Sequence, residues 1–128
     1  MVVIDTSVVV DHLRQLGETT FFRKLEKELQ GEALSISIIS VQELYAGRST
    51  KDHDKERMLL ATVSPLLILQ YTYEIAELGG RLIRDSESSL QFADAAIAAT
   101  AIVNGAKVAT LNRKDFEGIE GLEVLSGI

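Results

Sequence analysis

Met1-Val2-Val3-Ile4-Asp5-Thr6-Ser7-Val8-Val9-Val10-Asp11-His12 is the stretch from which the fold of this chain is read. Val2 to Ile4 is apolar and mostly β-branched, the composition of a strand buried on both faces. The run stops at Asp5, and Thr6 and Ser7, either of which can cap a helix, follow at once. The order is therefore buried strand, carboxylate, helix. In open parallel α/β sheets the ligand crevice lies beyond the carboxyl ends of the strands, so Asp5 stands where a site would be built. The competing reading is an Asp that caps the helix and does nothing else. This stretch alone leaves both readings open.

Working outward, 128 residues predict one domain spanning 1–128. A hydrophobic fraction of 46% with 25% charged residues suits a globular protein. No apolar run approaches the roughly 20 residues that cross a bilayer, so no membrane association is expected. The first residues lack a basic segment, and no secretory leader is expected. Cysteine is absent, which excludes disulfides, thiolate-bound zinc and thiol catalysis, and agrees with a cytoplasmic location. His12 and His53 are too few for a histidine-rich metal site. The net charge of −6 by itself argues against nucleic-acid binding.

Hydrophobic spacing lays out the rest. A helix continues from Val8 to Gln15 and is interrupted by Gly17. An amphipathic helix over 18–30 places Phe21, Phe22, Leu25 and Leu29 on one side, with Gly31 as its stop. Leu34 to Ile39 reads as strand two. Ser40 then opens a short helix, Val41 to Ala46, stopped by Gly47. Residues 52–63 form a helix closed by Ser64-Pro65. Leu66 to Leu69 reads as strand three. A long helix over 72–88 is weakened near Gly79-Gly80. Phe92 to Asn104 is helical, Lys107 to Leu111 is strand four, and Glu123 to Leu125 is a short fifth strand. Strands that alternate with helices need crossover connections, so the fold class is α/β: a mainly parallel central sheet flanked by α-helices.

Four carboxylates recur just beyond strands or facing them: Asp5, Glu43, Asp94 and Asp115. Asp94 is the only charged side chain in the otherwise apolar helix Phe92–Val103. A helix apolar all round is buried, and a buried carboxylate must be neutralised, paired or bound to a metal. The alternative is a first-turn Asp favoured by the helix dipole, worth about 0.3–1 kcal/mol. For Glu43 the local pattern favours a structural role, because Ser40-Val41-Gln42-Glu43 matches a capping box. A Glu so placed can still turn an oxygen toward a cleft. Asp115 and Asn112, taken alone, are ordinary loop residues.

The ordered set is more specific than its members. Asp5-Thr6-Ser7, the segment from Ser40 to Gly47, the segment from Ala93 to Ala101 and the segment from Thr110 to Phe116 resemble the PIN-domain nucleases. The likeness is greatest to the VapC-type toxins of toxin–antitoxin pairs, and it covers nearly the whole chain in order and spacing. The resemblance implies a single PIN-like domain in which Asp5, Glu43, Asp94 and Asp115 form an acidic pocket for Mg²⁺ or Mn²⁺. Thr6, Ser40 and Asn112 would be its supporting polar residues. It also implies an RNA substrate, a 5′-phosphate product, a homodimer and a cognate antitoxin protein that masks the pocket.

Elementary chemistry agrees. Converging carboxylates raise one another's pKa unless a cation sits among them. Hard divalent cations take oxygen ligands, and such an ion can acidify a water and direct it at phosphorus. Removing the four pocket carboxylates from the balance leaves −2 of the −6. The basic groups Arg23, Lys24 and Lys27, Arg48 and Lys51, and Arg113 and Lys114 are then candidate phosphate contacts, against the alternative of a solvated face. Tyr45 and Phe116 are candidates for stacking on a base, although core packing is the commoner use of a Phe. Two other classes compete. An aspartyl phosphotransferase also places an Asp after strand one, but the acid expected two residues later is Ser7. A PIN-fold binding module would pair with an antitoxin without cutting, and it has no need of the intact acidic set.

Overall fold

The computed structural model of the chain describes residues 1–87 and 89–127. The elements follow in the expected order: β1 (Val2–Ile4), α1 (Thr6–Gln15), α2 (Phe21–Glu28), β2 (Leu34–Ser37), α3 (Ile38–Ala46), α4 (His53–Val63), β3 (Leu67–Leu69), α5 (Tyr73–Asp85), α6 (Phe92–Val103), β4 (Lys107–Thr110) and β5 (Val124–Ser126). Two short 3₁₀ turns, Arg48–Lys51 and Arg113–Phe116, were not predicted. The five strands form one sheet in the order β3-β2-β1-β4-β5, and every pairing is parallel.

Side chains alternate across a strand, and β1 uses both faces. Val2 and Ile4 enter one core with Val8 and Val9 of α1, Phe22 and Leu25 of α2, Leu44 of α3 and Leu59 and Val63 of α4. Val3 enters a second core with Ile97, Ala98 and Ala101 of α6, Val108 of β4 and Phe116. The all-round apolar character of α6 is thereby explained: Ala95 to Ala101 are all buried between the sheet and α5. Gly79 lies at that helix contact, where an added Cβ would stand 3.7 Å from the Ala95 carbonyl oxygen and 3.8 Å from Ala99 Cβ. α5 runs through Gly79-Gly80 unbroken and ends at Asp85. Ser88, its expected last residue, lies outside the described residues.

The main correction concerns α3. Strand two stops at Ser37 rather than Ile39, and α3 starts at Ile38 with Ser37 as its cap, the hydroxyl accepting from the Ile39 N–H at 3.1 Å. Ile38 and Ile39 are β-branched and look like strand, but packing of α3 on its neighbours outweighs that preference. Ser40 is therefore a buried residue inside the first turn, and the capping box Ser40–Glu43 does not form. A smaller correction concerns α1, whose cap position is Asp5 itself rather than Thr6 or Ser7. α2 is shorter than expected because Thr20 caps it from the N-terminal side, accepting from the Arg23 N–H.

Candidate active site

β1 lies between β2 and β4, so the chain leaves it in one direction and returns on the other side. That reversal opens a crevice at the carboxyl ends of the strands, and Asp5 sits in it. The Asp5 N–H donates to the Ala109 carbonyl at 2.9 Å, which pins its backbone to β4. Although Asp5 holds the cap position of α1, its carboxylate takes no bond from the helix N–H groups. Oδ2 instead accepts from the hydroxyls of Ser7 at 2.7 Å and Thr110 at 2.8 Å. The reading of Asp5 as a cap alone is thus not what the chain does.

Glu43 is placed by the shifted start of α3. Three residues apart, Ser40 and Glu43 share a helix face, and both meet Thr6 at the start of α1. The single proton of the Thr6 hydroxyl is shared between Ser40 Oγ at 2.8 Å and Glu43 Oε1 at 2.7 Å. Thr6 and Ser40, the expected polar supports, thus meet beside the Glu43 carboxylate, and Thr6 and Glu43 line the same cavity.

Asp94 lies in the first turn of α6, half-buried, with no hydrogen bond or ion pair among the described residues. Its carboxyl is pushed up to about 6, first by desolvation and then by the charges of Asp115, Asp5 and Glu43. The helix dipole, which would favour the charged form, is outweighed. The other three expected acids thus all bear on Asp94. A cavity of about 470 Å³ is lined by Asp5, Thr6, Ser7, Glu43, Asp94 and Asn112 together with Arg14 of α1. A second groove of about 950 Å³ shares Asp94 and carries Asp115 and Lys114. Asp94 is the wall between them, and Asp115 stands on its far side.

With this arrangement in view, the comparison with known proteins is direct. The PIN domain family matches residues 2–122. The chain is a PIN domain. It is 38% identical over 121 residues to ribonuclease VapC19 of Mycobacterium tuberculosis, covering 91% of this chain and 92% of that one. It is 33% identical over 132 residues to ribonuclease VapC1 of Rickettsia felis, covering 97% and 94%. Among solved structures it is similar to a toxin–antitoxin complex from Klebsiella pneumoniae, with a TM-score of 0.74, 30% identity and coverage of 98% and 97%. The fold and the VapC-type resemblance expected from the motifs are therefore those of the PIN family.

Within the PIN domain the expected basic residues divide. Arg23 pairs with Glu26 at 2.7 Å and Lys27 with Glu18 at 3.7 Å, and neither lines the cavities. Lys24, Arg48, Lys51 and Arg113 are exposed and also lie off both cavities. Lys114 lines the second groove. Phe116 is 1% exposed and belongs to the core, so it cannot stack on a base; Tyr45 is exposed, and desolvation of its phenol followed by the nearby Glu56 raises its pKa. Three contributors escaped the sequence reading. Arg14 follows from its position in α1, three residues beyond Asp11 on the cavity wall. Ser7 and Thr110 follow only from the β1–β4 register, which pairs Ile4 with Ala109 and so brings the next residues of both strands together. No helix among the described residues is long and apolar enough to cross a membrane.

The donors available are carboxylate and hydroxyl oxygens and one carboxamide, a set suited to a hard cation. Among the described residues, no three acidic or imidazole groups converge into a closed ligand shell. Mg²⁺ does not require one, since it keeps several waters and binds through one or two carboxylates. The residues present fit such an ion.

Proposed function

We propose that this PIN domain is a divalent-metal-dependent endoribonuclease, the toxin of a type II toxin–antitoxin pair. It acts in the cytoplasm as a homodimer on RNA and is held in check by a cognate antitoxin. The observation that carries the reading is Asp94: a carboxyl without a hydrogen-bond or ion-pair partner among the described residues, raised to about 6 first by desolvation and then by three neighbouring acids. Such a group is costly in the protein alone and is relieved by a cation. Identity above 30% to two proteins named as VapC ribonucleases supports the substrate class, and the likeness to a toxin–antitoxin complex supports the partner.

Mg²⁺ or Mn²⁺, when bound, supplies an acidified water and counter-charge for the phosphate oxygens. Asp5 and Asp94 would hold it, one oxygen of Asp5 being fixed by hydroxyls and Asp94 having no hydrogen bond or ion pair among the described residues. Glu43, with Oε1 held by Thr6, keeps Oε2 to orient the attacking water and accept its proton. Asp115 supports Asp94 from the second groove, and Asn112 offers a neutral donor at the cavity rim. Arg14, which lines the first cavity, and Lys114, which lines the second groove, would meet backbone phosphates on either side of Asp94. Arg23, Lys24, Lys27, Arg48 and Arg113 are left for more distant phosphates or for solvent.

The test is RNA cleavage by the purified protein with Mg²⁺, with EDTA added, and by Asp5→Asn. Asn keeps the size of the side chain and still accepts from Ser7 and Thr110, so the variant folds. Wild type is expected to cut and to stop with EDTA, and the folded variant is expected not to cut, to leave cell growth unaffected and still to bind the antitoxin. A folded Asp5→Asn protein that cuts at the wild-type rate would remove metal chemistry from this crevice and leave a PIN-fold binding module as the better reading.

A further inference from the structure

We infer that Ser7 and Thr110 are positioning residues that hold Asp5 for a divalent cation by gripping one of its two carboxylate oxygens. The inference rests on the nuclease reading above. Both hydroxyls converge on Oδ2, from Ser7 at 2.7 Å and from Thr110 at 2.8 Å. Each hydroxyl is itself oriented by backbone: the Leu111 N–H donates to Ser7 Oγ at 3.2 Å, and the Asn112 N–H donates to Thr110 Oγ1 at 2.9 Å. A hydroxyl that accepts from an N–H on one side has its proton free for the other, so both protons are directed at Asp5.

The second carboxylate oxygen is treated differently. Asp5 is only 4% exposed, and its side chain makes no cap bond with α1. Yet among the described residues no buried side-chain oxygen lacks a partner. Oδ1, with no hydrogen bond among the described residues, is therefore reached from the cavity that Asp5 lines. One oxygen is locked and the other presented. The terminal torsion of an Asp is broad, and two hydroxyls on one oxygen set the plane of the carboxylate before an ion arrives. A ligand ordered in advance loses less freedom on binding. The same bonds tie the start of the segment that carries Asn112 and Asp115 to the end of β1, so one clamp sets the position of both acids.

The competing account is that the hydroxyls merely satisfy a buried carboxylate; that role would alter stability and leave ion affinity alone. The test compares Ser7→Ala, Thr110→Val and Thr110→Ser in the full chain by melting curves, by Mn²⁺ titration followed by electron paramagnetic resonance, and by RNA cleavage across Mn²⁺ concentrations. Ser7→Ala and Thr110→Val should each bind Mn²⁺ about tenfold or more weakly, in the range known for groups that orient metal ligands. Raising Mn²⁺ should restore their cleavage, and Thr110→Ser should stay near wild type. If Thr110→Val does not fold, the other two decide. Folded Ser7→Ala with wild-type Mn²⁺ affinity overturns the inference while the nuclease reading stands, provided the wild type binds Mn²⁺ and cuts. A wild type that binds no Mn²⁺ removes both.

Discussion

Thr6 Oγ1 lies 2.7 Å from Glu43 Oε1, joining the first turn of α1 to the second turn of α3 across 37 residues of chain. The contact separates two roles that the sequence left together. A capping glutamate would face its own helix backbone; this one faces another helix at the edge of a cavity.

Glu43→Gln removes the charge and keeps the shape. Because no cap depends on the carboxylate, the melting temperature should move by no more than about 2 °C, as for an exposed substitution worth under 0.5 kcal/mol. RNA cleavage should fall at least tenfold, the lower range for loss of a group that handles a proton. Single-turnover rates on a short RNA check this; a rate equal to wild type returns Glu43 to a purely structural role.

Asp94 predicts a pH signature. Its carboxyl sits at about 6 in the folded protein, above its ordinary 3.8. The folded state therefore holds the proton more tightly, and this group's contribution to stability is full below the unfolded value and is lost as pH rises through about 6. Asp94→Asn does not titrate. The variant and the wild type should melt at similar temperatures near pH 4, and the variant should gain steadily up to pH 7. His12 acts with the opposite sign: burial foremost, helped by Arg23, lowers its pKa from 6.5. Its contribution is full above that value and is lost as pH falls below it, in both proteins alike. Melting curves that stay parallel from pH 4 to 7 would contradict the Asp94 assignment.

Divalent ions give the complementary experiment. Mg²⁺ or Mn²⁺ at ten times its dissociation constant should stabilise the protein by about 1.4 kcal/mol through mass action. For a chain of this size that is a rise of about 5 °C. Asp94→Asn should lose most of that response. An unchanged wild-type melting temperature in millimolar Mn²⁺ would argue strongly against an ion at this site.

The α5–α6 contact makes a prediction about packing. An alanine methyl at Gly79 would meet Tyr71 Oη at 3.6 Å and the α6 atoms at 3.7 and 3.8 Å, all ordinary contacts, and at Gly80 it would meet nothing within 4 Å. Gly79→Ala and Gly80→Ala should each stabilise the chain by about 0.5–1 kcal/mol through helix propensity. Gly79→Leu, which must push α6 away, should destabilise it by about 1–3 kcal/mol. Urea unfolding of the three variants measures these changes.

These residues also mark how much could be read in advance. Strand β1 and helix α6 are legible because burial on all sides leaves only apolar residues, against which Asp5 and Asp94 stand out. The start of α3 was misread because Ile38 and Ile39 satisfy a strand pattern and a buried helix turn equally well, and only tertiary packing chooses. Thr110 carries no local sign at all. Its role exists only because β4 lies beside β1 in register, a relation between residues 105 positions apart. The pairing of Arg23 with Glu26 is legible in the helical spacing of α2, whereas Lys27 pairs with Glu18, which lies before that helix and has no helical spacing to it.

The strand order has a consequence in time. β1 is made before its two partners in the sheet, β2 and β4, and Asp115 follows β4. At roughly 5–20 residues per second, about 5 to 20 s of synthesis separates Asp5 from Asp115. During that interval Asp5 has neither the Thr110 hydroxyl nor the Ala109 carbonyl to hold it. The geometry around Asp5 is thus completed late, because the hydroxyl of Thr110 that grips it lies 105 positions further along the chain.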